Sequence, residues 1–293
     1  MSSRIKHVGI VIKQNVPEAN NLALKAAEHL KKKKIQVGFA MESKDVCDLA
    51  FGKACSTKEE LIKESDAILV LGGDGTFISV ARLMDRKSLP ILGINMGQLG
   101  FLTEVRKTET LEAIDLLLQN KLPIDSRTML FCKVMRKGKI IFETPIVNDV
   151  VISKGSIARI FDMQVHIDGQ FVVMFKGDGM ILSTPTGSTA YCLAAGGPIV
   201  SPWVPAIGLV AICPHSLTLR PLIINDESKV LVTPRYRSGT VILTLDGQSS
   251  VDLESEDEIH VTKFQKHKLQ VLHWPKRDYY SLLREKLKYG YRD

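Results

Sequence analysis

The sequence predicts an α/β domain followed by a β-rich domain, and three patterns indicate this. In the N-terminal part, apolar runs of strand length alternate with segments of helical period, as at residues 7–13, 18–34 and 35–40. Beyond Arg127, short strands and hairpin turns replace the helices. Residues 279–288 return to helical spacing. The fold class is therefore an α/β domain with a mostly parallel, Rossmann-like sheet, a β-sandwich-like C-terminal domain, and a terminal helix that returns to the first domain.

The first domain is predicted at residues 1–122, with residues 275–293 packing back on it. Ser56 followed by Glu59 is a capping-box pattern and predicts the start of a short helix. Residues 41–55 have no clean period. In a parallel sheet of this kind, ligands bind beyond the carboxyl ends of the strands. The further predicted strands are 67–71 and 90–94, and the further helices are 56–63, the segment after residue 76, and 108–119.

The second domain is predicted at residues 123–274 and consists mainly of hairpins. Asp168-Gly169 lies between two alternating strands and predicts a tight turn. Asp246-Gly247 has the same local pattern, although Gln248 adds a polar group that a turn does not need. The predicted strands are 131–135, 139–142, 163–167, 170–175, 180–182 and 240–245.

Composition narrows the class of protein. The 293 residues are 45% hydrophobic and 24% charged, which is enough core for two domains. No run approaches the roughly 18 apolar residues of a membrane span, and no secretory leader is evident, so we expect no membrane partner. Five scattered cysteines without a Cys-x-x-Cys pair indicate a reducing cytoplasm. The net charge of +7 suits anionic ligands, but the low aromatic content argues against nucleic acid.

Gly72-Gly73-Asp74-Gly75-Thr76 joins a buried strand to a helix. Glycines at that junction let a bulky ligand approach the backbone, and the start of a helix attracts phosphate. Gly72, Gly73, Gly75 and Thr76 are therefore predicted to bind phosphate. A carboxylate repels phosphate, so Asp74 needs another role, as a metal ligand or as a base for an attacking hydroxyl. A simple tight turn is the alternative interpretation.

Two further segments carry polar groups that are candidates for ligand binding. Residues 176–191 combine Asp178 with several hydroxyls ahead of an apolar segment, and such a pattern suits phosphates or ribose. Tyr191 could stack on a base, while helix capping is the alternative role for the hydroxyls. Asn148 and Asp149 interrupt an apolar run, where an amide can recognise adenine and a carboxylate can accept bonds from ribose. A bulge or a turn would also explain that pair.

Five stretches together resemble the NAD kinase family of the bacterial type. They are GGDGT at 72–76, NMGQLGFLT at 95–103, GDGMILSTPTGSTAY at 177–191, AGGPIVSP at 195–202 and CPHSLTLRPLI at 213–223. GGDGT alone is shared with diacylglycerol and sphingosine kinases, whereas the long hydroxyl-rich stretch is far more specific. The resemblance covers most of the chain in order.

The resemblance implies transfer of a phosphoryl group to the 2′-hydroxyl of the adenosine ribose of NAD, which makes NADP. It implies ATP or another phosphoryl donor, Mg²⁺ or another divalent cation, and a homo-oligomer, either a dimer or a tetramer. It makes Asp74 the catalytic base and leaves the metal ligands unknown. The dinucleotide contacts that it implies are Asp74, Gly75, Phe101, Asn148, Asp149, Arg159, Lys176, Asp178, Thr186, Thr189, Ala190, Tyr191, Ala194 and Gln248.

Two residues depart from the family pattern. Asp149 stands where the family most often has Glu, and Lys176 stands where it often has Arg. Lysine is a point charge without the bidentate fork of arginine, so the choice between NAD and NADH stays open. A lipid kinase that shares GGDGT and a dinucleotide-binding regulator without turnover are the competing functions. An apolar slot for an acyl chain would favour the first, and a dispensable Asp74 the second.

Overall fold

The computed structural model describes residues 5–40, 56–84, 87–155 and 160–290. The chain divides into unit 1, Met1–Ser126 with Leu269–Asp293, and unit 2, Arg127–Lys268. The helices are α1 (Pro17–Lys32), α2 (Lys58–Glu64), α3 (Asp74–Ala81), α4 (Thr110–Leu118), α5 (Tyr191–Ala194) and α6 (Tyr279–Leu287), with 3-10 turns at Lys107–Glu109 and Thr186–Thr189. The strands are β1 (His7–Ile12), β2 (Gln36–Phe39), β3 (Ala67–Gly72), β4 (Pro90–Asn95), β5 (Val105–Arg106), β6 (Ile124–Arg127), β7 (Leu130–Arg136), β8 (Lys139–Ile146), β9 (Asp149–Lys154), β10 (Phe161–Ile167), β11 (Gln170–Gly177), β12 (Gly179–Ser183), β13 (Ala206–Ile212), β14 (Leu222–Asn225), β15 (Val230–Arg235), β16 (Val241–Leu245), β17 (Ser249–Leu253), β18 (Glu258–Lys263) and β19 (Leu269–Leu272).

Unit 1 contains one sheet, in which the strand order of the described residues is β2-β1-β3-β4-β19-β6, with β5 beside β4. β1 runs parallel to β2 and β3, and β4 runs parallel to β3, β5 and β19. Every residue of β3 is buried, as expected for a strand that is covered on both faces. The last residue of β3, Gly72, lies opposite Asn95, the last residue of β4. The loops after both strands therefore start at the same edge of the sheet.

Side-chain caps fix the starts of α2 and α6 in unit 1. The sequence placed the cap of α2 at Ser56, but Thr57 Oγ1 accepts from Glu60 N at 3.2 Å, one residue later. Ser56 instead forms an isolated parallel β-bridge with Ala40, so the cap lies one position later. At the C-terminus, Asp278 caps α6 by accepting from the backbone N–H of Ser281. α6 belongs to unit 1, so the terminal helix returns to the first domain as predicted.

Unit 2 contains two antiparallel sheets that share one core. The described strands form the six-stranded orders β11-β10-β15-β18-β7-β8 and β14-β13-β12-β9-β16-β17. A single buried cluster includes Val134 and Val232 from the first sheet and Val150 and Leu243 from the second. This is the predicted β-sandwich-like arrangement. The turn at Asp168 and Gly169, with φ of 53° and 79°, joins β10 to β11 as a hairpin, as the sequence predicted.

Three details differ from the sequence-based assignment. β19 pairs with β4 in unit 1, whereas residues 269–274 were predicted to belong to the second domain. The sequence of a short strand does not show which sheet the strand joins. Val147 and Asn148 lie where the chain passes from β8 in one sheet to β9 in the other, and not within one strand. The helix expected near Ser188 is a 3-10 turn followed by the one-turn helix α5.

Within the ranges that the structure describes, no helix has the length and apolarity that a membrane crossing requires. The segment 41–55, which shows no period in the sequence, and Arg159 lie outside the described residues.

Candidate active site

Asp74 is the first residue of α3 and follows directly on β3 and the N-cap Gly73. Its Oδ1 accepts hydrogen bonds from Leu102 N at 3.1 Å, Thr103 N at 3.1 Å and Thr103 Oγ1 at 2.9 Å. Its Oδ2 accepts one, from Phe101 N at 2.8 Å. The side chain is 28% exposed. A carboxylate has about four acceptor positions in all, so Oδ1 is fully used while Oδ2 can still take a proton or bind a ligand.

The loop that donates to Asp74 is itself held by Asn95, at the end of β4. The Asn95 side-chain amide donates to Thr103 Oγ1 at 3.2 Å and to the carbonyl of Gln98, and its oxygen accepts from Gly97 N at 2.7 Å. Asn95 is only 5% exposed. A buried amide with partners at both ends fixes the loop, and through it the direction of the carboxylate.

The glycines around Asp74 fall into two groups. A Cβ on Gly100 would lie 1.8 Å from Asp74 Oδ1, and one on Gly72 would lie 2.6 Å from Thr76 Oγ1. These two positions need glycine for packing. A Cβ on Gly73 or Gly75 would meet nothing within 4 Å. The start of α3 thus has open space in front of it, where a phosphate suits the dipole and amides of a helix.

The C-terminal segment is anchored next to this loop. Glu104 accepts from Trp274 N at 3.1 Å and lies 2.7 Å from His273 Nδ1. The hydrogen bond that His273 donates to Glu104 raises the pKa of His273, although burial opposes the shift. Arg277 adds a bond to the Glu104 carbonyl at 2.8 Å. α6 follows directly, and its Lys286 Nζ lies 3.8 Å from Asp74 Oδ2.

In unit 2, a buried carboxylate pair organises the passage from β8 to β9. Asp246, in the β16–β17 turn, accepts from Val147 N at 3.0 Å, Asn148 N at 2.7 Å and Asp149 N at 3.1 Å. Asp149 is 4% exposed, and none of the described residues donates a hydrogen bond to its carboxylate. Burial, and then the charge of Asp246, raise the pKa of Asp149 to about 7.

The hydroxyls of residues 183–189 are used mainly for local structure. Thr184 Oγ1 donates to Val147 O at 2.6 Å and accepts from Gly187 N at 3.0 Å. Ser188 Oγ donates to Pro185 O at 2.7 Å. Both side chains therefore bond within their own loop, but neither is a helix N-cap, because the 3-10 turn and α5 begin after Pro185 and Ala190 without a side-chain capping bond. A Cβ on Gly187 would lie 2.1 Å from the carbonyl oxygen of Asn148, so the loop packs closely on that residue.

Asn148 carries the clearest sign of a missing partner. Its side-chain oxygen is buried, and no partner for it exists among the described residues. Nearly all buried polar atoms have a hydrogen-bond partner, and exceptions call for a specific explanation. A donor on a ligand would supply the partner.

Lys176 and Asp178 lie at the other end of β12. Ser183, the last residue of β12, pairs with Asp149, while Asp178 directly precedes the strand. Five residues of strand span roughly 16 Å. Within unit 2, Lys176 and Asp178 are therefore far from Asp149. Asp178 Oδ1 lies 2.8 Å from Lys154 Nζ. The side chain of Lys176 is 59% exposed, and its Nζ lies 4.0 Å from Asp162 Oδ2.

The remaining predicted contacts in unit 2 lie near the carboxyl end of β12, after Ser183, or at the surface. Thr186 and Thr189 belong to one 3-10 turn, in which Thr189 Oγ1 donates to Thr186 O at 3.2 Å. Ala190 follows that turn, and Ala194 ends α5. Tyr191, 48% exposed, presents an open ring. Gln248 is exposed in the β16–β17 turn.

Comparison with known proteins identifies the family. The model of the ATP-NAD kinase N-terminal domain matches residues 8–122, and that of the C-terminal domain matches residues 147–273. The NAD kinase of Syntrophotalea carbinolica is 39% identical over 288 residues, which are 98% of this chain and 100% of that protein. That of Geobacter metallireducens is 42% identical over 241 residues, 82% of this chain and 85% of that protein. The chain belongs to the NAD kinase family.

Solved structures of NAD kinase relatives share the fold. The crystal structure of yeast NADH kinase complexed with NADH has a TM-score of 0.92 at 25% identity, covering 99% of this chain and 89% of that one. The NAD kinase from Archaeoglobus fulgidus in complex with ATP has a TM-score of 0.75 at 24% identity, covering 97% and 100%. The second supports the fold alone.

Four side chains that shape the candidate site were not predicted from the sequence. Asn95 and Thr103 lie within the NMGQLGFLT stretch, where a polar residue at each end was a usable signal. Asp246 was recognised as a turn but not as the acceptor for three amides. Lys286 gave no signal, because lysine in the last turn of a helix is ordinary.

Proposed function

We propose that this protein transfers a phosphoryl group from ATP to the 2′-hydroxyl of the adenosine ribose of NAD, producing NADP and ADP. The observation that carries the proposal is Asp74 Oδ2, an acceptor in a rigidly held carboxylate at the start of a helix with open space in front of it. A binding protein has no need of an acid at a phosphate site, whereas a kinase needs a base there.

In the proposed reaction, Asp74 Oδ2 accepts the proton of the 2′-hydroxyl as the oxygen attacks the terminal phosphorus. The new P–O bond forms on the ribose, and the P–O bond to the leaving ADP breaks with its electron pair on ADP. Phosphoryl transfer requires little covalent work from a protein, so positioning and charge stabilisation dominate. The donors on Oδ1 keep Asp74 in one orientation and leave Oδ2 to react.

The terminal phosphates are assigned to the start of α3, with Gly73 and Gly75 leaving room for them. No cluster of three or more His, Cys, Asp or Glu suited to a metal occurs in the part of the chain that the structure describes. Mg²⁺ usually keeps several waters and binds through substrate phosphates with few protein carboxylates, and Oδ2 of Asp74 is already assigned to the ribose proton. The donor set therefore fits a Mg²⁺ held largely by the phosphate chain, where it would offset phosphate charge.

Asn148 and Asp149 are proposed to hold the adenosine half of NAD. The unpartnered oxygen of Asn148 suits a donor such as the adenine amino group. Asp149, with a pKa of about 7, can accept from a ribose hydroxyl or donate to one near neutral pH. The Tyr191 ring and the hydroxyls of Thr186 and Thr189 extend this half of the proposed site. The other dinucleotide contacts named from the sequence remain predictions.

A homo-oligomer and a cytoplasmic location also remain proposals. The edge strand β11 exposes Phe171, Val172 and Met174, by 58%, 42% and 49%. β8, at the other edge of the same sheet, exposes Ile140 and Ile141. Apolar side chains on edge strands support association of copies. Light scattering on the purified protein would show a dimer or a tetramer.

The test is formation of NADP by purified protein with Mg²⁺ and either ATP or polyphosphate, followed with an NADP-specific dehydrogenase. Asp74→Asn keeps the size of the side chain and removes its basicity, so the rate should fall by about 10²–10⁴ while NAD still binds. Asp168→Asn, in the β10–β11 turn, is the matched control and should keep full activity.

Each other outcome points to a different error. A wild-type protein that binds NAD but makes no NADP from either donor would favour the regulator. Activity on diacylglycerol or sphingosine instead would favour the lipid kinase. NADP formation that survives Asp74→Asn would support the kinase assignment but exclude Asp74 as the base. Asp178 would then be tested next.

A further inference from the structure

A cavity of about 570 Å³ opens in unit 1 beside the loop of residues 95–99. Its charged lining consists of Arg106, Lys107, Glu285 and Lys286, three cations and one carboxylate. Arg106 pairs with Glu285 at 3.3 Å, and Lys107 pairs with an acid on α1 at 2.9 Å. Cavities of roughly 300–1,000 Å³ hold small-molecule ligands, and an excess of positive charge attracts anions. The cavity therefore suits a small polyanion.

Lys286 differs from the other two cations in its contacts. Its Nζ lies 3.8 Å from Asp74 Oδ2, beyond the roughly 2.7–2.9 Å of a charge-assisted hydrogen bond. It also lies 4.5 Å from the centroid of the Phe101 ring. Among the described residues, none accepts a hydrogen bond from this ammonium group. Lys286 is thus held by charge alone and keeps three N–H donors for a ligand.

The position of Lys286 is imposed by the packing of its helix. α6 buries Tyr279, Leu282 and Leu283 in unit 1, and the Tyr279 ring lies 6.1 Å from that of Phe101. The side chain of Lys286 is 28% exposed, and its ammonium group lies near the carboxylate of Asp74.

We propose that Lys286 binds the terminal phosphate of the phosphoryl donor and that the cavity beside it holds the rest of the donor's phosphate chain. This inference rests on the proposed function, because it places the donor next to Asp74. When the donor enters, Lys286 exchanges the weak pairing with Asp74 for hydrogen bonds to phosphate oxygens. Asp74 Oδ2 is then free for the ribose hydroxyl.

The role in the reaction follows from where charge develops. As the 2′-oxygen bonds to phosphorus and ADP leaves with the electron pair of the broken P–O bond, charge spreads over the oxygens of the transferring group. A donor positioned at those oxygens stabilises that state. Lys286 touches the substrate in this scheme and is therefore a catalytic residue.

The experiment compares Lys286→Met and Lys286→Arg with Arg284→Met, which removes an exposed cation from the same helix away from the cavity. Steady-state kinetics give kcat and the KM values for ATP and NAD. Calorimetry measures the affinity for inorganic tripolyphosphate without turnover. Lys286→Met should lower kcat/KM for ATP by about tenfold to a hundredfold, the usual cost of a hydrogen bond to a charged group. Tripolyphosphate affinity should fall, NAD affinity should stay unchanged, and Lys286→Arg should restore part of the loss.

Two results would overturn the inference. One is Lys286→Met matching Arg284→Met in both ATP kinetics and tripolyphosphate affinity. The other is a loss of NAD affinity with donor affinity intact, which would mean that Lys286 acts through Phe101. If the wild type makes no NADP, the proposed function fails. The tripolyphosphate affinities would still show whether Lys286 binds phosphate. Thermal melts of all variants exclude misfolding as the cause.

Discussion

Gly100→Ala should strongly slow turnover without unfolding the protein. A Cβ at residue 100 would lie 1.8 Å from Asp74 Oδ1, and contacts of real Cβ atoms essentially never fall below 3.0 Å. The carboxylate or the loop must therefore move by about 1.2 Å, the difference between these distances. The same Cβ would lie 2.3 Å from Thr103 Oγ1, so the hydroxyl that fixes Asp74 is displaced as well. A misplacement of about 1 Å can reduce the rate a hundredfold, or about 2.7 kcal/mol in the barrier.

The assay is NADP formation under saturating ATP and NAD, with Gly208→Ala as the control. Gly208 lies in β13, where a Cβ would make an ordinary contact of 3.5 Å with Ile223. We expect kcat of Gly100→Ala to fall about a hundredfold and that of Gly208→Ala to stay near wild type. Calorimetry should show NAD binding in both. Wild-type kcat in a folded Gly100→Ala protein would refute the view that the position of Asp74 is critical.

Two further predictions concern pH. Asp149, with a pKa raised to about 7, should make NAD affinity rise between about pH 6 and pH 8 as the carboxylate ionises and accepts from ribose. Asp149→Asn should flatten that profile, and an unchanged slope would assign the titration to another group. The pKa of His273 is raised by Glu104, so its stabilisation is complete below the unfolded pKa of about 6.5 and is lost as pH rises through the folded value. Thermal melts should therefore show a larger loss of stability in the wild type than in His273→Gln on going from about pH 6 to mildly alkaline pH, and parallel losses would contradict this role for the Glu104 pair.

Much of the fold follows from local pattern. The apolar run of β3 and the helical period after Thr76 are enough to predict the Gly-rich junction between a buried strand and a helix. The hairpin at Asp168-Gly169 was predictable because a turn with both residues at positive φ favours that dipeptide. These features depend on neighbours in sequence, which is why periodicity and turn chemistry reveal them.

The missed features depend on partners that are distant in the chain. β19 lies beside β4 through a pairing across some 180 residues, and four strand residues cannot encode that choice. Asp246 accepts from amides about 98 positions away, although its own dipeptide looks like any hairpin turn. Lys286 reaches Asp74 only because Tyr279 and the two leucines of α6 pack into unit 1. Such roles follow from tertiary structure and not from a local motif.

The two candidate carboxylates have opposite environments, and that contrast supports their different assignments. Asp74 accepts four hydrogen bonds and is 28% exposed, so its negative charge is stabilised by the protein while Oδ2 remains accessible. Asp149 accepts none from the described residues, is 4% exposed and lies beside Asp246. A buried charge without hydrogen-bond donors is costly. Ligand hydroxyls that donate to Asp149 would offset this cost, and binding would become more favourable. These environments fit the proposed roles, in which Asp74 acts on the substrate hydroxyl and Asp149 binds one.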